Sequence, residues 1–450
     1  MLAARWPPNH YAARVTGIGQ GIRVSHADDG NRSRLTVFFR FILVIPHLIW
    51  LLLWGIGIVV VLPVHWVIAL ILGRPAGWAH AFYTAYVRYA LHVYAYWYLA
   101  ADRYPGFLGE PGYVVDADMP SLEPQRRWTI ALRLFLAIPP LALAAALENG
   151  FGAGGGSTQN DETAVAFSFN LGLALTVAFL AWFASLALAR IPQGLRDTQV
   201  YCLGYAAQAY GYFFLLSDRF PTSDPDAVRL SPMPAHPVRV RDEGERGRNR
   251  LLVFFRLLLV VPHFVWLALW SIVAFVLVVV AWLVALVIGR VPDWLHRFLA
   301  AFVRYTTHVI SFLYVLGGPF PGFLGRSGSY PVDVEIDPPQ PQSRPKTLFR
   351  FFLALPAFLV SSAFSTVMLL AGIGAWWAAL FTGRIPEGLK GLLGWAVRYQ
   401  AQVYGYWLLL TDRYPYTGPD GRGMPEITEP AAEPQAAAAQ EGWQRAPEAP

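Results

Sequence analysis

Six histidines stand at two sets of matched places: His47, His80 and His92, and 216 residues later His263, His296 and His308. Imidazoles brought together from facing helices could hold a metal ion or a haem iron, and His47, His92, His263 and His308 are the ligands to consider. A duplication leaves the same match behind. The corresponding places elsewhere hold Pro140, Arg196 and Gln208, or Ala357, Lys390 and Gln402, so neither a metal nor another cofactor is expected. Arg88, His92 and Tyr96 recur every four residues and share one helix face. With the matching Arg304, His308 and Arg398, they could present planar forks to phosphate oxygens, or a basic face drawn to anionic lipid by about 1 kcal/mol per charge. Either way the chemistry is headgroup binding. An Asp-Arg-Tyr-Pro run (Asp102 to Pro105, Asp412 to Pro415, and Asp218 to Pro221 with Phe220) could supply a carboxylate for acid-base work. The simpler reading pairs Asp with Arg locally and lets proline end a helix. No nucleophile elbow, His-Glu-x-x-His or phosphate loop accompanies them, so no catalytic residue is assigned.

These residues belong to a repeat. Arg40, Arg133, Arg256 and Arg350 are each followed six residues later by proline, and 34 residues on by Arg74, Arg290 and Arg384, each after a glycine. In the second copy the interval to Arg190 is 57, an insertion of 23. Fourteen further stand Arg88, Arg304 and Arg398, with Gly204 in the second copy, and seventeen beyond these Pro105, Pro221, Pro321 and Pro415. The first and third copies match best, while the second and fourth share Arg-Ile-Pro and Tyr-Gly-Tyr, as two successive doublings would leave them. The units expected are an N-terminal cytoplasmic tail 1–21, repeat 1 over 22–112, repeat 2 over 113–222 with an inserted turn 148–163, a linker 223–236, repeat 3 over 237–325, repeat 4 over 326–416 and a disordered tail 417–450.

The elements that must position these residues are set by where charge is missing. Of 450 residues 55% are apolar and 14% charged, against about 25% charged in soluble chains, so most of this protein cannot face water. The single cysteine excludes an intrachain disulfide framework. All 35 Lys and Arg lie outside the runs 41–73, 134–189, 257–289 and 351–383. Thirty-three residues as one helix would reach about 50 Å, well beyond the ~30 Å hydrocarbon core. Each run is therefore expected to fold as a transmembrane hairpin, with Arg40 and its equivalents snorkelling to the headgroups. Positive charge on one side then gives eight spans with both termini cytoplasmic. The tyrosine-rich segment from Trp78 to Ala101 reads as an aromatic amphipathic helix lying in the cytoplasmic interface; a spanning version would give twelve. Alternation at Tyr113–Asp116 and Tyr330–Glu335 predicts short cytoplasmic strands between repeats. The fold class is thus an all-α membrane protein of four tandem repeats. Residues 1 to 21 hold no apolar core, so no cleavable leader is expected there.

The runs Val37-Phe38-Phe39-Arg40 to Ile45-Pro46-His47, Gly383 to Pro386, and Leu410 to Pro415 resemble a bacterial, notably actinobacterial, integral membrane family catalogued as a domain of unknown function. The resemblance covers roughly 22–416 and implies an inner-membrane protein without implying an activity. The third copy departs from it, with Gly317-Gly318-Pro319-Phe320-Pro321 in place of Asp-Arg-Tyr-Pro. A non-enzymatic scaffold engaging membrane lipid, anionic above all, fits four near-equivalent units. A transporter or channel for an apolar or lipid-like solute is the alternative, then a lipid-modifying enzyme. Hairpins that dip into the bilayer without crossing would keep the sidedness of the termini. The positive charge is membrane-directed, so nucleic acid is not an expected partner.

Overall fold

A computed structural model describes residues 22–149, 171–225 and 233–420. The N-terminal tail, most of the inserted turn, the middle of the linker and the tail beyond 420 lie outside the described residues. In the first unit, strand β1 (Arg23–His26) leads to α1 (Arg34–Leu43), α2 (Ile45–Leu72) and α3 (Gly77–Trp97). The second has β2 (Val115–Asp118), α4 (Arg127–Leu136), α5 (Ile138–Glu148), α6 (Leu173–Leu188) and α7 (Gln193–Phe213). The third has β3 (Val238–Asp242), α8 (Arg250–Leu259), α9 (Val261–Ile288) and α10 (Asp293–Leu313), and the fourth β4 (Val332–Ile336), α11 (Arg344–Leu348), α12 (Arg350–Thr382) and α13 (Glu387–Trp407).

The expected hairpins do not form in the first, third and fourth units, where each charge-poor run stays helical to its end, broken only near its start at Val44 and Val260 in the first and third. Gly55, Gly57 and Pro63 interrupt the apolar sequence of α2 without turning it, because no polar loop stands there to satisfy a reversed backbone. The reversal falls at Gly-Arg-x-Pro instead. Gly73, Gly289 and Gly383 end their helices with φ of 69°, 81° and 72°, a left-handed cap that glycine adopts freely. The prolines six residues after the arginines start helices rather than kink them in α2, α5 and α9, where the missing N–H costs nothing; of these four, Pro356 lies inside a helix. The described residues hold three helices long and apolar enough to cross a membrane, four if the pair α4–α5, bent by 42°, is one span. Eight crossings are not present among them.

Three layers stack. Strands β1 and β2 pair antiparallel with Arg23 opposite Asp118 and His26 opposite Val115, as do β3 and β4 with Val238 opposite Ile336. Sequence alternation found β2 and β4 but missed their partners. Each two-stranded sheet lies lengthwise on a pair of aromatic helices. Ile22 packs on Gly211 near the end of α7, where a Cβ would come within 2.0 Å of its Cδ1, while Arg196 near the start of the same helix bonds Asp28 O at 3.0 Å. Val238 sits likewise on Gly405 of α13, which explains both Tyr-Gly-Tyr motifs. The inner sheet face is buried Val238, Val240, Val332 and Val334. The outer face is charged, with Arg241 on Glu335 at 2.9 Å and Arg239 on Asp337 at 2.8 Å. The aromatic helices are therefore an interior layer, with Tyr83, Tyr89, Tyr96, Tyr201, Tyr305 and Tyr399 fully buried. The long helices form the third layer and leave most of their Leu, Ile, Val and Phe exposed.

What ties long helix to aromatic helix is the repeating arginine. Arg40, Arg133, Arg256 and Arg350 are at most 2% exposed, so they do not snorkel. Arg40 donates to Tyr96 O at 2.6 Å, Ala101 O at 3.0 Å and Asp102 Oδ1 at 2.7 Å. Arg133 donates to Tyr212 O, Ser217 O, Asp218 and Gln125, and Arg350 to Tyr406 O, Thr411 O, Asp412 and Gln342. Arg256 has carbonyls only, those of Phe312, Gly317 and Gly318. Each guanidinium also lies 3.9 to 4.4 Å from the ring of Tyr96, Tyr212, Phe312 or Tyr406. The aromatic helices end in a left-handed residue, Leu99, Leu215, Val315 or Leu409, with φ of 61° to 66°. That geometry turns the last carbonyls toward the arginine. Replacing Arg133 by Met should cost about 2 to 3 kcal/mol in chemical unfolding of the detergent-solubilised protein, because the carbonyls of Tyr212 and Ser217 and the Gln125 amide oxygen lose a buried donor. Lys should restore only part of it, because an ammonium cannot bridge the same fork of acceptors.

Candidate functional site

The histidines separate into two kinds of structural pair. On the long helices, His47 Nδ1 meets the Tyr89 hydroxyl at 2.7 Å and His263 Nδ1 meets that of Tyr305 at 2.7 Å. Their rings stack on Phe107 and Phe323 with centroids 4.3 and 4.5 Å apart. On the aromatic helices, His92 Nε2 meets Asp116 Oδ1 at 3.1 Å and His308 Nε2 meets Asp333 Oδ1 at 2.8 Å. Among the described residues no three of His, Cys, Asp and Glu gather as a metal site would require. His80 and His296, on the first turns of their helices, sit apart from both pairs and are lowered by burial.

Arg88, His92 and Tyr96 share a helix, but that face is turned inward. Arg88 donates to Ala117 O at 3.2 Å and pairs with Asp116 at 3.2 Å; Tyr96, 1% exposed, lies under Arg40. Arg304 donates to Val334 O at 2.9 Å. Arg398, 3% exposed, bonds Gly418 O and stands 3.6 Å from Asp420. Of the residues expected to bind headgroups, Arg88, His92, Arg304 and His308 are thus held under β2 and β4, Tyr96 under Arg40, and Arg398 under the segment that carries Gly418 and Asp420. The Asp-Arg-Tyr-Pro aspartates likewise serve the buried arginines, Asp412 also pairing with Lys346 at 3.4 Å.

A second anchor, not expected from the spacing, stands eight residues before each arginine. The carbonyl of Leu99 accepts from Arg32 Nη2 at 2.7 Å, that of Leu215 from Gln125 at 2.7 Å, that of Val315 from Arg248 at 2.9 Å and that of Leu409 from Gln342. The readable signal is the alternation Arg, Gln, Arg, Gln at a fixed offset, which pairs copies as first with third and second with fourth.

Asp116 and Asp333 are the hubs of the sheet contact. Asp333 also accepts the N–H of Gly328 and of Val334, and Asp116 those of Gly112 and Ala117. Burial alone would raise both carboxyls; the histidine and backbone N–H bonds outweigh it, and both stand below the usual carboxylate range. A carboxylate whose folded pKa is depressed adds stability above its unfolded value, near 3.8, and loses it as pH falls through the folded value. The parent should therefore have a higher unfolding midpoint than Asp333→Asn above about pH 4, and the difference should shrink as the pH falls below 3.8 through the folded value.

Three stretches of the chain, residues 34–109, 250–323 and 344–417, match the family model described as a domain of unknown function (DUF4389). These are the first, third and fourth units, each from the start of its long helix to the loop after its aromatic helix; the second, with the insertion and Gly204, is outside the matches. No curated protein and no solved structure matches the chain.

Proposed function

We propose that this chain is a non-enzymatic lipid scaffold of the bacterial inner membrane, lying along the cytoplasmic leaflet with its long helices in the membrane plane and both termini in the cytoplasm. The observation that carries this reading is the layer order: charged sheet, buried aromatic helices, exposed apolar helices. The arginine anchors join the start of α2 to the end of α3, and Gly73 to Ala76 joins their other ends, so α2 can cross a bilayer only if α3 crosses beside it. An upright α3 would push the charged outer face of its sheet into hydrocarbon, at a cost of about 3 kcal/mol or more per ionised group. Laid flat, the sheet stays in water and the apolar helices meet acyl chains.

Charge at the helix ends supports the same orientation. Arg34 and Arg74 flank α1–α2, Arg250 and Arg290 flank α8–α9, and Arg344 and Arg384 flank α11–α12, all exposed. A helix with cations at both ends conflicts with one-sided charge if it crosses, and satisfies it if both ends stay on one leaflet. These arginines, rather than the covered stripe on the aromatic helices, are the groups available to anionic headgroups.

Ser33→Cys and Gly77→Cys test the orientation, since both positions are exposed and a Cβ at Gly77 meets nothing within 4 Å. The native Cys202 is buried and silent. A membrane-impermeant maleimide should label both variants in inside-out vesicles and neither in intact spheroplasts. Labelling of one from each side would establish a crossing helix and end the flat reading.

A further inference from the structure

One cavity, of about 110 Å³, lies between α3 and α7 where α5 ends. Its wall combines Tyr86 and Tyr94 of α3, Tyr210 and Phe214 of α7, and Glu148 with Asn149. The remaining lining is aliphatic, so its polar chemistry is one carboxyl group, one amide and phenol hydroxyls. Glu148 is 5% exposed. Its bonded partner is the Tyr210 hydroxyl, and burial pushes the carboxyl up to about 8, so it is mostly protonated at neutral pH until a cation beside it draws the proton off. Tyr86, Tyr94 and Tyr210 are pushed above the usual phenol range, first by burial and then by the Glu148 carboxylate, which places the acid within electrostatic reach of all three. Tyr210 is 37% exposed and stands at the mouth.

The internal repeat supplies a control. At the matching places the second half carries Phe302, Ile310, Tyr404, Leu408 and, for Glu148, Ser365, whose hydroxyl accepts from Gln400 at 3.4 Å. The acid and two of the aromatic residues are thus particular to the first half, and the shared architecture does not require them. An unpaired carboxylate is expensive to bury. Aromatic faces around it attract a cation through their quadrupoles, most strongly when water is excluded. An inorganic cation would need a set of oxygen ligands, and no cluster of acids is present among the described residues. An alkylated ammonium needs only aromatic and aliphatic walls with one counter-charge.

We propose that this cavity binds a small alkylated ammonium group, its nitrogen against the faces of Tyr86, Tyr94 and Tyr210 with Glu148 as counter-ion. The proposal does not rest on how the long helices sit in the membrane. The cation can be the trimethylammonium of a lipid headgroup or a free quaternary ammonium solute, and the chemistry of recognition is the same.

Calorimetric titration of the full chain in a maltoside detergent, with tetramethylammonium and choline as probes and sodium as control, tests it. Saturable one-site binding of both organic cations, absent for sodium, is expected, and Glu148→Gln should weaken it at least tenfold. The glutamine still accepts from Tyr210 and buries no charge, so its unfolding midpoint should not fall. Ala90→Trp, which fills the cavity and leaves Glu148 in place, should block binding independently. Absence of saturable binding in the parent, or equal binding in Glu148→Gln, would overturn the proposal. Repeating the titration in bilayer discs separates the sources. Weaker choline binding in phosphatidylcholine than in phosphatidylglycerol discs assigns the site to a lipid headgroup, and equal binding assigns it to the free solute.

Discussion

A guanidinium buried at the end of another helix is the constraint on which each unit depends. Arg40, Arg133, Arg256 and Arg350 take the carbonyls that an aromatic helix leaves without intrahelical partners and gather them with a loop carbonyl and, in three units, a carboxylate. The left-handed residue that aims those carbonyls costs about 1–2 kcal/mol for a side chain such as Leu. The arginine offsets that cost with several charge-assisted bonds and a ring face beneath its plane. The partial negative charge at a helix C-terminus favours a cation there, which is why Arg256 can stand on carbonyls alone.

From these anchors the layers follow. With the long helix fixed at one end by arginine and at the other by a glycine cap, the aromatic helix must run back along it, and its remaining face is free to take a sheet. Glycines at 211 and 405 let the strands lie flat on that face, while Asp116 and Asp333 bind strand, loop and histidine at one point. The tyrosines that give the aromatic helices an interfacial composition are used inside, against His47, His263 and one another.

Much of this was legible in the sequence, and the limits have physical causes. The spacing of arginine, Gly-Arg-x-Pro and the later proline marked each charge-poor run and the aromatic segment after it, although the run itself was expected as a hairpin. Absence of charge over 33 residues told that the run avoids water; it did not tell whether the chain turns within it, because apolar composition is common to a hairpin and to one long helix. Arg40 and Tyr96 are 56 residues apart, and a bond between a side chain and a distant backbone carbonyl leaves no mark on the composition of either segment. The histidines and the Arg88 face were read as outward because their helix looked solvent-facing on one side. The strands that cover that side, β2 and β4, are legible as alternation, but nothing in a local pattern says which helix face they lie across. Glu148 lay at the edge of an insertion and had no spacing partner, so nothing in the repeat pattern singled it out.

The main chain also crosses between units in pairs. Arg32 N–H bonds Ala189 O at the end of the second unit's long helix, and Gln125 N–H bonds Gly73 O at the end of the first's; Arg248 with Gly383 and Gln342 with Gly289 repeat the exchange. Every unit thus completes its neighbour's helix terminus and strand edge and receives the same in return. An ancestor encoding one unit would have had to find those complements on a second molecule, as a symmetric homodimer. Fusion would then have converted an association that depends on concentration into an intramolecular one, leaving the two copies free to diverge and Glu148 free to arise on one side only.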